Sequence, residues 1–134
     1  MSADETRRVV TSYLADHGNE WLAEQVEFVE PGAAEPHRGR QRVSEWLARF
    51  YGGAFGEAHA EGRSLVVDDG RAACEFVFSG VHTGSLCGEQ PTGRQVSVPM
   101  AAVYDVDGGE IVSARIYYDA GRLRDELNSS ALRT

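Results

Sequence analysis

The first part of the chain carries apolar side chains mainly at helical spacing. A helix is predicted over residues 4–17, and Gly18 marks its expected end. A second, short helix is predicted around residues 21–26, and Phe28-Val29 can begin a strand. The clearest pattern is a stripe at positions i, i+3, i+4 and i+7, which predicts a helix over residues 40–50. The stripe consists of Val43, Trp46, Leu47 and Phe50.

Beyond Gly53 the hydrophobic period changes from 3.6 to 2, which is typical of half-buried strands. Strands are predicted at residues 58–67, 71–81, 95–107 and 110–118. Asp68-Asp69-Gly70 and Asp107-Gly108-Gly109 have the composition of hairpin turns, since glycine tolerates the positive φ angles that tight turns need. A closing helix is predicted over residues 119–127, and the tail at residues 128–134 is expected to fray.

Helices followed by an antiparallel meander predict an α+β fold in which the helices pack on one face of the sheet. The length of 134 residues fits a single domain over residues 1–134. If the sheet curls around the helices, the enclosed space becomes a pocket, and a small-molecule site is expected there.

The composition excludes two classes of partner. The net charge is −8 and all 13 basic residues are arginine, whereas nucleic acids and anionic membranes attract basic surfaces. No apolar run approaches the roughly 20 residues of a membrane-spanning helix, so a cytoplasmic protein is expected. The two cysteines, Cys74 and Cys87, lack metal-binding spacing and are expected to be reduced thiols, with a disulfide as the alternative.

Three polar residues have both a structural and a chemical interpretation. Tyr13 lies on the apolar stripe of the first helix, where its hydroxyl is either a core group or a donor to a substrate oxygen. Glu30 precedes a proline turn and is either a solvated loop acid or, if desolvated, a general base. Asp119 is either the N-cap of the closing helix or a carboxylate at a pocket mouth beside Tyr117 and Tyr118.

His82 is a fourth candidate. It continues the parity of an apolar strand face formed by Cys74, Phe76 and Phe78. Gly80 interrupts this strand, and a bulge at the glycine would change the face that His82 occupies. A structural role and a catalytic role both remain open for this histidine.

Three segments resemble the SnoaL-like polyketide cyclases, which belong to the nuclear transport factor 2-like superfamily. These segments are GVHTGSLCGEQPTGRQVSV, DGGEIVSARIYYD and GRLRDEL, in the same order. The resemblance implies a cone-shaped, curved antiparallel sheet wrapped around three N-terminal helices, with dimerisation through the outer face of the sheet. It also implies that Asp119 is the acid/base and that His82 and Thr83 lie close to the pocket rim. We expect His82 to hydrogen-bond the substrate or to tune Asp119.

The N-terminal half is also similar to ketosteroid isomerase. VVTSYLADHG resembles the helix with the oxyanion-hole tyrosine, which implies this role for Tyr13. VEPGAAEPHRGRQRVSEWL resembles the acid-proline loop, which implies that Glu30 is a general base. The second oxyanion donor, an aspartate, is replaced, and its equivalent position is Ala101. A related epoxide hydrolase needs an Asp-Arg-Asp set, of which Arg115 and Asp119 are present.

The predicted function is a SnoaL-like cyclase or isomerase that applies acid–base chemistry to a carbonyl-rich, polyketide-derived substrate in bacterial secondary metabolism, such as antibiotic biosynthesis. No metal or organic cofactor is expected, and the expected partners are a small-molecule substrate and a second copy of the chain. The alternatives are a small-molecule-binding protein without turnover and an epoxide hydrolase. The residues predicted to line the substrate pocket are Phe76, Phe78, Met100, Tyr104, Arg115, Tyr117 and Trp46.

Overall fold

The computed structural model describes residues 2–30, 32–86 and 90–128. In chain order, the elements are α1 (Ala3–Asp16), a 3₁₀ turn (Asn19–Trp21), β1 (Leu22–Val29), β2 (His37–Arg38), α2 (Arg40–Ala48), a π-helical turn (Arg49–Ala54), β3 (Phe55–Asp68), β4 (Arg71–His82), β5 (Gln95–Asp107), β6 (Glu110–Tyr118) and α3 (Ala120–Asn128). The four long predicted strands, the two hairpin turns and the helices α1, α2 and α3 are confirmed. Cys87 and residues 129–134 lie outside the described residues. None of the described helices is both long enough and apolar enough to cross a membrane.

Six strands form one curved, unclosed sheet in the order β2-β1-β6-β5-β4-β3. Neighbouring strands are antiparallel except β1 and β6, which run parallel. Helix α1 packs against β3, β4 and β5, and α2 packs against β1. The predicted α+β cone is therefore confirmed, with two differences in detail. The sheet is mixed, and the third helix, α3, follows the strands instead of preceding them.

The short helix predicted around residues 21–26 is wrong, because most of this segment is strand β1. The buried side chains of β1 are Leu22, Val26 and Phe28, and the spacing of four between the first two imitates a helical turn. The register between β1 and β6 shifts between Leu22 and Glu27. Glu24 lies between the buried positions 22 and 26 and would face inward in a regular strand, but this irregular stretch leaves it exposed. The alternation of apolar and polar residues that marks a strand is therefore absent from the sequence here.

The main hydrophobic core lies between α1 and the inner face of the sheet. Val9, Val10 and Tyr13 are at most 1% exposed, and fully burying one valine side chain contributes about 1.5–3 kcal/mol. Thr6 fixes the helix against the β3–β4 turn, because its hydroxyl accepts a hydrogen bond of 2.9 Å from the backbone N–H of Gly70. Helix α1 is thereby held across the sheet with Tyr13 facing inward.

A second apolar cluster lies where α3 packs on β5. Its buried members are Ala54, Phe55, Phe78, Val96, Val98, Met100, Leu123 and Leu127. Strand β6 pairs with β5 only from Met100 onward, so Ser97 has no strand partner on that edge. Two side chains of α3 replace the missing strand, because Glu126 accepts the Ser97 N–H at 2.7 Å and Arg122 donates to the Ser97 carbonyl at 3.2 Å. These hydrogen bonds dock the closing helix.

Candidate functional site

A cavity of about 440 Å³ lies between α1, the π-helical turn and the inner faces of β3, β4 and β5. Most of its wall is apolar. Thr11, Ser64 and Glu75 are exposed members of the wall and mark a mouth between α1 and the β3–β4 hairpin. A concave apolar space with a few polar groups is the usual form of a small-molecule site.

Three tyrosine side chains line this cavity from three different elements. Tyr13 comes from α1, Tyr51 from the π-helical turn and Tyr104 from β5. The rings of Tyr13 and Tyr104 are in edge contact, with centroids 5.8 Å apart. Burial raises the pKa of Tyr13 and of Tyr104 well above the usual value, and it raises the pKa of Tyr51 to about 12. All three hydroxyls therefore stay protonated at neutral pH and can act as hydrogen-bond donors.

Two of these three hydroxyls are available to a ligand. The hydroxyl of Tyr104 hydrogen-bonds the thiol of Cys74, a free buried cysteine. Burial raises the pKa of Cys74, so this thiol is neutral. Among the residues that the structure describes, the hydroxyls of Tyr13 and Tyr51 have no hydrogen-bond partner. A ligand oxygen in the cavity would satisfy both donors.

His17 lies beside the rings of Tyr13 and Tyr51, although the sequence did not single it out as a candidate. Helix α1 ends one residue earlier than expected, and His17 rather than Gly18 takes the left-handed conformation, with φ of 53°. The imidazole ring lies 5.0 Å from the ring of Tyr13 and 4.9 Å from that of Tyr51, measured between centroids. Burial lowers the pKa of His17, which keeps the ring neutral at neutral pH. Tyr13 and His17 are four residues apart, a spacing that places two side chains on the same face of a helix. This spacing is the feature of the sequence that indicates their proximity.

A second, outer cleft of about 410 Å³ adjoins the cavity at the C-terminal end of α1. His17, Leu47 and Tyr51 belong to the walls of both spaces. The outer cleft adds polar side chains from Asp16 and Asn19. Within the described ranges, no three His, Cys, Asp or Glu side chains are grouped as a metal site requires.

The inward-facing residues predicted for the pocket divide between two places. Phe76 and Tyr104 line the cavity, as Tyr13 does. Phe78 and Met100 also face inward, but they belong to the second apolar cluster. Phe55 packs on Phe78, with ring centroids 5.1 Å apart. Side chains from the π-helical turn, β3 and α3 therefore fill this end of the sheet, and Phe78 and Met100 do not line the cavity.

Arg115, Tyr117 and Ala101 lie on the outer face of the sheet and do not line the cavity. Tyr117 pairs with Ala101 in the β5–β6 register and is 54% exposed. The guanidinium of Arg115 donates to the carboxylate of Asp105 at 2.9 Å. Because strand side chains alternate between the two faces of a sheet, Ala101 faces outward with Tyr117, and its neighbour Ala102 faces inward.

Glu30 and Trp46 form a separate cluster with His37. The Glu30 carboxylate lies 3.2 Å from Nε2 of His37, and the ring of His37 stacks on Trp46 with centroids 4.7 Å apart. Both members of the Glu30–His37 pair are half-buried. Neither Glu30 nor Trp46 lines the cavity described above. This geometry closes the loop between β1 and β2.

His82 is fully buried, and the protein surrounds it. Its Nδ1 accepts a hydrogen bond of 3.2 Å from the backbone N–H of Thr92 and lies 3.0 Å from the Thr92 hydroxyl. Its ring packs near Phe55, with centroids 5.7 Å apart. Nε2 has no partner among the described residues, and His82 does not line the cavity. The contacts of this histidine hold the loop after β4.

The glycines around His82 are required by close packing. A Cβ at Gly80 would meet the Cβ of Phe55 at 3.0 Å, and β4 keeps a regular register with β5 through this position. The parity of the strand therefore does not change at Gly80. A Cβ at Gly84 would lie 1.8 Å from the carbonyl oxygen of Gly53, while the N–H groups of residues 83 and 84 donate to Ala54. The segment thus docks tightly on the π-helical turn.

Asp119 caps helix α3. Its carboxylate accepts the backbone N–H of Arg122 at 3.0 Å, and its carbonyl accepts the N–H of Leu123 at 3.1 Å. The side chain is exposed and does not line the cavity. No hydrogen bond or ion pair joins Asp119 to His82 in the described part of the chain. The structure therefore does not bring together the two residues to which the resemblance assigned the chemistry.

Comparison with known proteins gives one family and a uniform fold. The family model for SnoaL-like polyketide cyclase matches residues 5–127. No curated protein matches the chain. A proposed SnoaL-like polyketide cyclase from Jannaschia sp. CCS1 is similar in structure, with a TM-score of 0.87, 12% identity, and coverage of 95% of this chain and 94% of that one.

Two further solved structures extend this likeness. A proposed polyketide cyclase from Xanthomonas campestris pv. campestris has a TM-score of 0.77 and 22% identity, covering 93% of this chain and 98% of that one. A protein with a ketosteroid isomerase-like fold from Catenulispora acidiphila DSM 44928, solved in complex with trimethylamine, has a TM-score of 0.76 and 22% identity, covering 92% and 94%. At these identities the structures show the shared fold. Because the family model spans nearly the whole chain, this protein belongs to the SnoaL-like polyketide cyclase family.

Proposed function

We propose that this protein is a cofactor-independent cyclase or isomerase of a carbonyl-rich, polyketide-derived compound in bacterial secondary metabolism. One observation carries the proposal. Tyr13 and Tyr51 line an apolar cavity, and their protonated hydroxyls have no partner among the described residues. Neutral donors in an apolar cavity are complementary to a carbonyl oxygen that gains negative charge during a reaction.

The chemistry follows from where the charge develops. Removal of a proton from the carbon next to a carbonyl moves negative charge onto the carbonyl oxygen. Hydrogen bonds from Tyr13 and Tyr51 stabilise that oxygen more in the transition state than in the ground state, and this difference accelerates the reaction. The apolar wall strengthens both of these hydrogen bonds, because it excludes water from the carbonyl oxygen.

The shape of the cavity narrows the class of substrate. Its volume of about 440 Å³ and apolar wall suit a small molecule with fused or stacked rings. Polar groups of such a molecule would meet the hydroxyls at one end and the exposed mouth, with Thr11, Ser64 and Glu75, at the other. A carbonyl-bearing aromatic compound fits both requirements.

We include a homodimer and a cytoplasmic location in the proposal. Val66 and Tyr117 are 69% and 54% exposed, and both lie on the outer sheet face with Val103. Exposed apolar side chains on the outer sheet face are typical of an interaction surface, and the same face of a second copy of the chain can pack against them. Light scattering coupled to gel filtration tests this, with Tyr117→Glu as the disrupting variant. A monomeric mass for the unmutated protein contradicts the dimer.

The test of the cavity uses 2-tetralone, an aromatic ketone with acidic protons beside its carbonyl, and tetralin as the control without the oxygen. We expect the ketone to bind more tightly than tetralin in calorimetric titrations, because it satisfies the tyrosine donors. We also expect the protein to accelerate exchange of the ketone's acidic protons for deuterium in heavy water. Equal binding of ketone and tetralin would contradict a carbonyl site.

A binding protein without turnover is the second candidate. The observation that favours it is the position of Asp119, which is exposed and caps α3 instead of entering the cavity. Such a protein would bind 2-tetralone and leave its proton exchange unchanged. An epoxide hydrolase is not proposed, because neither Arg115 nor Asp119 lines the cavity.

A further inference from the structure

We propose that His17 is the catalytic base of this cavity and takes the proton from the carbon next to the ligand's carbonyl. The inference rests on the proposed function, since it concerns the same cavity. It assigns the base to the C-terminal end of α1, whereas the resemblance placed it at the end of the last strand.

The position of His17 relative to the tyrosines is the first argument. Its ring centroid lies 5.0 Å from that of Tyr13 and 4.9 Å from that of Tyr51. In the proposed complex, the carbonyl oxygen accepts hydrogen bonds from these two tyrosines and its neighbouring carbon lies beside the imidazole. The base and the oxygen-binding donors are thus parts of one site.

The state of the imidazole is the second argument. No hydrogen bond to either ring nitrogen of His17 is found among the described residues, so a lone pair is free. Burial lowers the pKa of the ring, and the charge of Asp16 beside it opposes this only in part. The other titratable groups that face His17 are the protonated hydroxyls of Tyr13 and Tyr51. The ring is therefore a neutral base at neutral pH.

The backbone at His17 is the third argument. A non-glycine residue with φ of 53° is in the left-handed region, which is unfavourable for most side chains. Glycine follows directly at position 18, where φ is −67°, so the chain places histidine rather than the glycine in this conformation. The side chain at this turn lines both the cavity and the outer cleft.

Carboxylates of the described residues are less suited to this role. Glu75 lies at the exposed mouth and accepts a hydrogen bond of 2.8 Å from Ser64. Asp16 accepts the N–H of Gly18 at 2.8 Å and is exposed. Glu30 and Asp119 are outside the cavity wall.

His17 also has a route for the proton. It belongs to the walls of both the cavity and the outer cleft, together with Leu47 and Tyr51. The outer cleft is open to solvent, so a proton that His17 takes from a ligand can exchange with water between turnovers. A base enclosed entirely within the cavity would lack this exchange.

The proposed step is balanced within the ligand and the imidazole. The imidazole lone pair takes the proton, the C–H electron pair forms a C=C bond, and the carbonyl π pair moves to the oxygen. For isomerisation, the imidazolium returns the proton to a different carbon. For cyclisation, the enolate carbon bonds to a second carbonyl carbon, whose oxygen then receives the proton. Neither route consumes an oxidant or another reactant.

The experiment measures deuterium incorporation into 2-tetralone in heavy water by NMR, with binding measured separately by calorimetry. His17→Asn removes the base, and asparagine tolerates the left-handed conformation. We expect the protein-dependent exchange rate to fall about 10²–10⁴-fold, while the Kd for 2-tetralone changes less than about threefold. His59→Asn, at an exposed histidine of β3, is the matched control with unchanged exchange.

A second variant separates catalysis from structure. His17→Gly also tolerates the positive φ angle and leaves space for added imidazole. We expect imidazole to restore exchange to this variant in a concentration-dependent manner and to leave Tyr13→Phe without rescue. A purely structural role of His17 would give no such rescue.

The outcomes separate this inference from the proposed function. Exchange that persists in His17→Asn overturns the role of His17 and leaves the proposed function intact. Loss of exchange that imidazole does not restore in His17→Gly also overturns the role of His17. A wild-type protein that binds 2-tetralone without accelerating exchange overturns both proposals and favours the binding protein.

Discussion

Two regions of this molecule contain polar side chains surrounded by apolar ones: the region around α3 and the loop after β4, and the cavity. They differ in whether the protein itself supplies the hydrogen-bond partners. Around α3 and the loop after β4, the protein supplies most of them, although Nε2 of His82 has no partner among the described residues. Nδ1 of His82, the carboxylate of Asp119 and the carboxylate of Glu126 each accept a backbone N–H. In the cavity, the hydroxyls of Tyr13 and Tyr51 have no partner among the described residues.

The difference indicates which region stabilises the fold and which receives a ligand. A polar group whose partner is backbone contributes to the stability of the fold, whereas a cavity hydroxyl without a protein partner can bond to water or to a ligand oxygen. Substitutions around α3 should therefore change the free energy of unfolding. Substitutions in the cavity should change binding and turnover, with little effect on stability.

After His17→Asn, the largest expected effect is that of Tyr13→Phe on turnover. Removal of one hydroxyl that stabilises a developing oxyanion typically costs about 10²–10³-fold in rate, and we expect this loss in the deuterium exchange of 2-tetralone. Stability should change little, because the hydroxyl has no hydrogen-bond partner among the described residues to lose. Tyr117→Phe, at an exposed tyrosine, is the control. A Tyr13→Phe variant with full exchange activity would remove the distinction between the two regions.

The largest effect on stability is expected for His82→Ala. The substitution leaves a void beside Phe55 and an unpaired Thr92 N–H, which together should lower the free energy of unfolding by about 2–4 kcal/mol. Urea denaturation measures this loss. The folded fraction should bind 2-tetralone with the wild-type Kd. A variant with wild-type stability and no exchange activity would instead place His82 in the chemistry.

Asp119 permits a matched pair of variants with a smaller effect. Asp119→Ala removes the cap of α3 and should lower the free energy of unfolding by about 1 kcal/mol, whereas Asp119→Asn keeps a good cap and should change it by less than about 0.5 kcal/mol. Both variants should retain proton exchange. The acid/base role of Asp119 stays a prediction, and a loss of about 100-fold or more in Asp119→Asn would support that role against the capping geometry.

The smallest effect is the pH dependence of stability that His17 contributes. Burial lowers its pKa below the usual 6.5. Below that pH the unfolded chain binds more protons than the folded one, so the free energy of unfolding falls as the pH falls. Urea titrations at about pH 8 and about pH 5.5 should show a greater loss for the wild type than for His17→Asn. Equal losses would indicate that the imidazole is not desolvated.

Local patterns in the sequence predicted most of the fold. The stripes of α1 and α2, the period of 2 in β3 to β6 and the glycine turns depend on interactions between residues close in the chain, so they can be read without tertiary structure. Strand β1 was not predicted at its full length, because its register shift removed the period of 2. Its parallel pairing with β6 joins distant segments, and no local pattern specifies that contact.

The candidate site was predicted less completely. Tyr13, Phe76 and Tyr104 were expected and do line the cavity. His82 and Asp119 belong to the most specific motifs of the chain, yet close packing and helix capping account for their contacts. His17 lies within the segment VVTSYLADHG, where the resemblance assigns a role only to Tyr13.

The sequence by itself determined the helices, the long strands, the turns and the resemblance to a family, because these depend on local periodicity and on residue identity. Only the tertiary structure decided which polar groups face a cavity. A cavity wall is assembled from side chains of α1, the π-helical turn, β4 and β5, and the burial that raises the pKa of Tyr13 and lowers that of His17 exists only when those elements pack together.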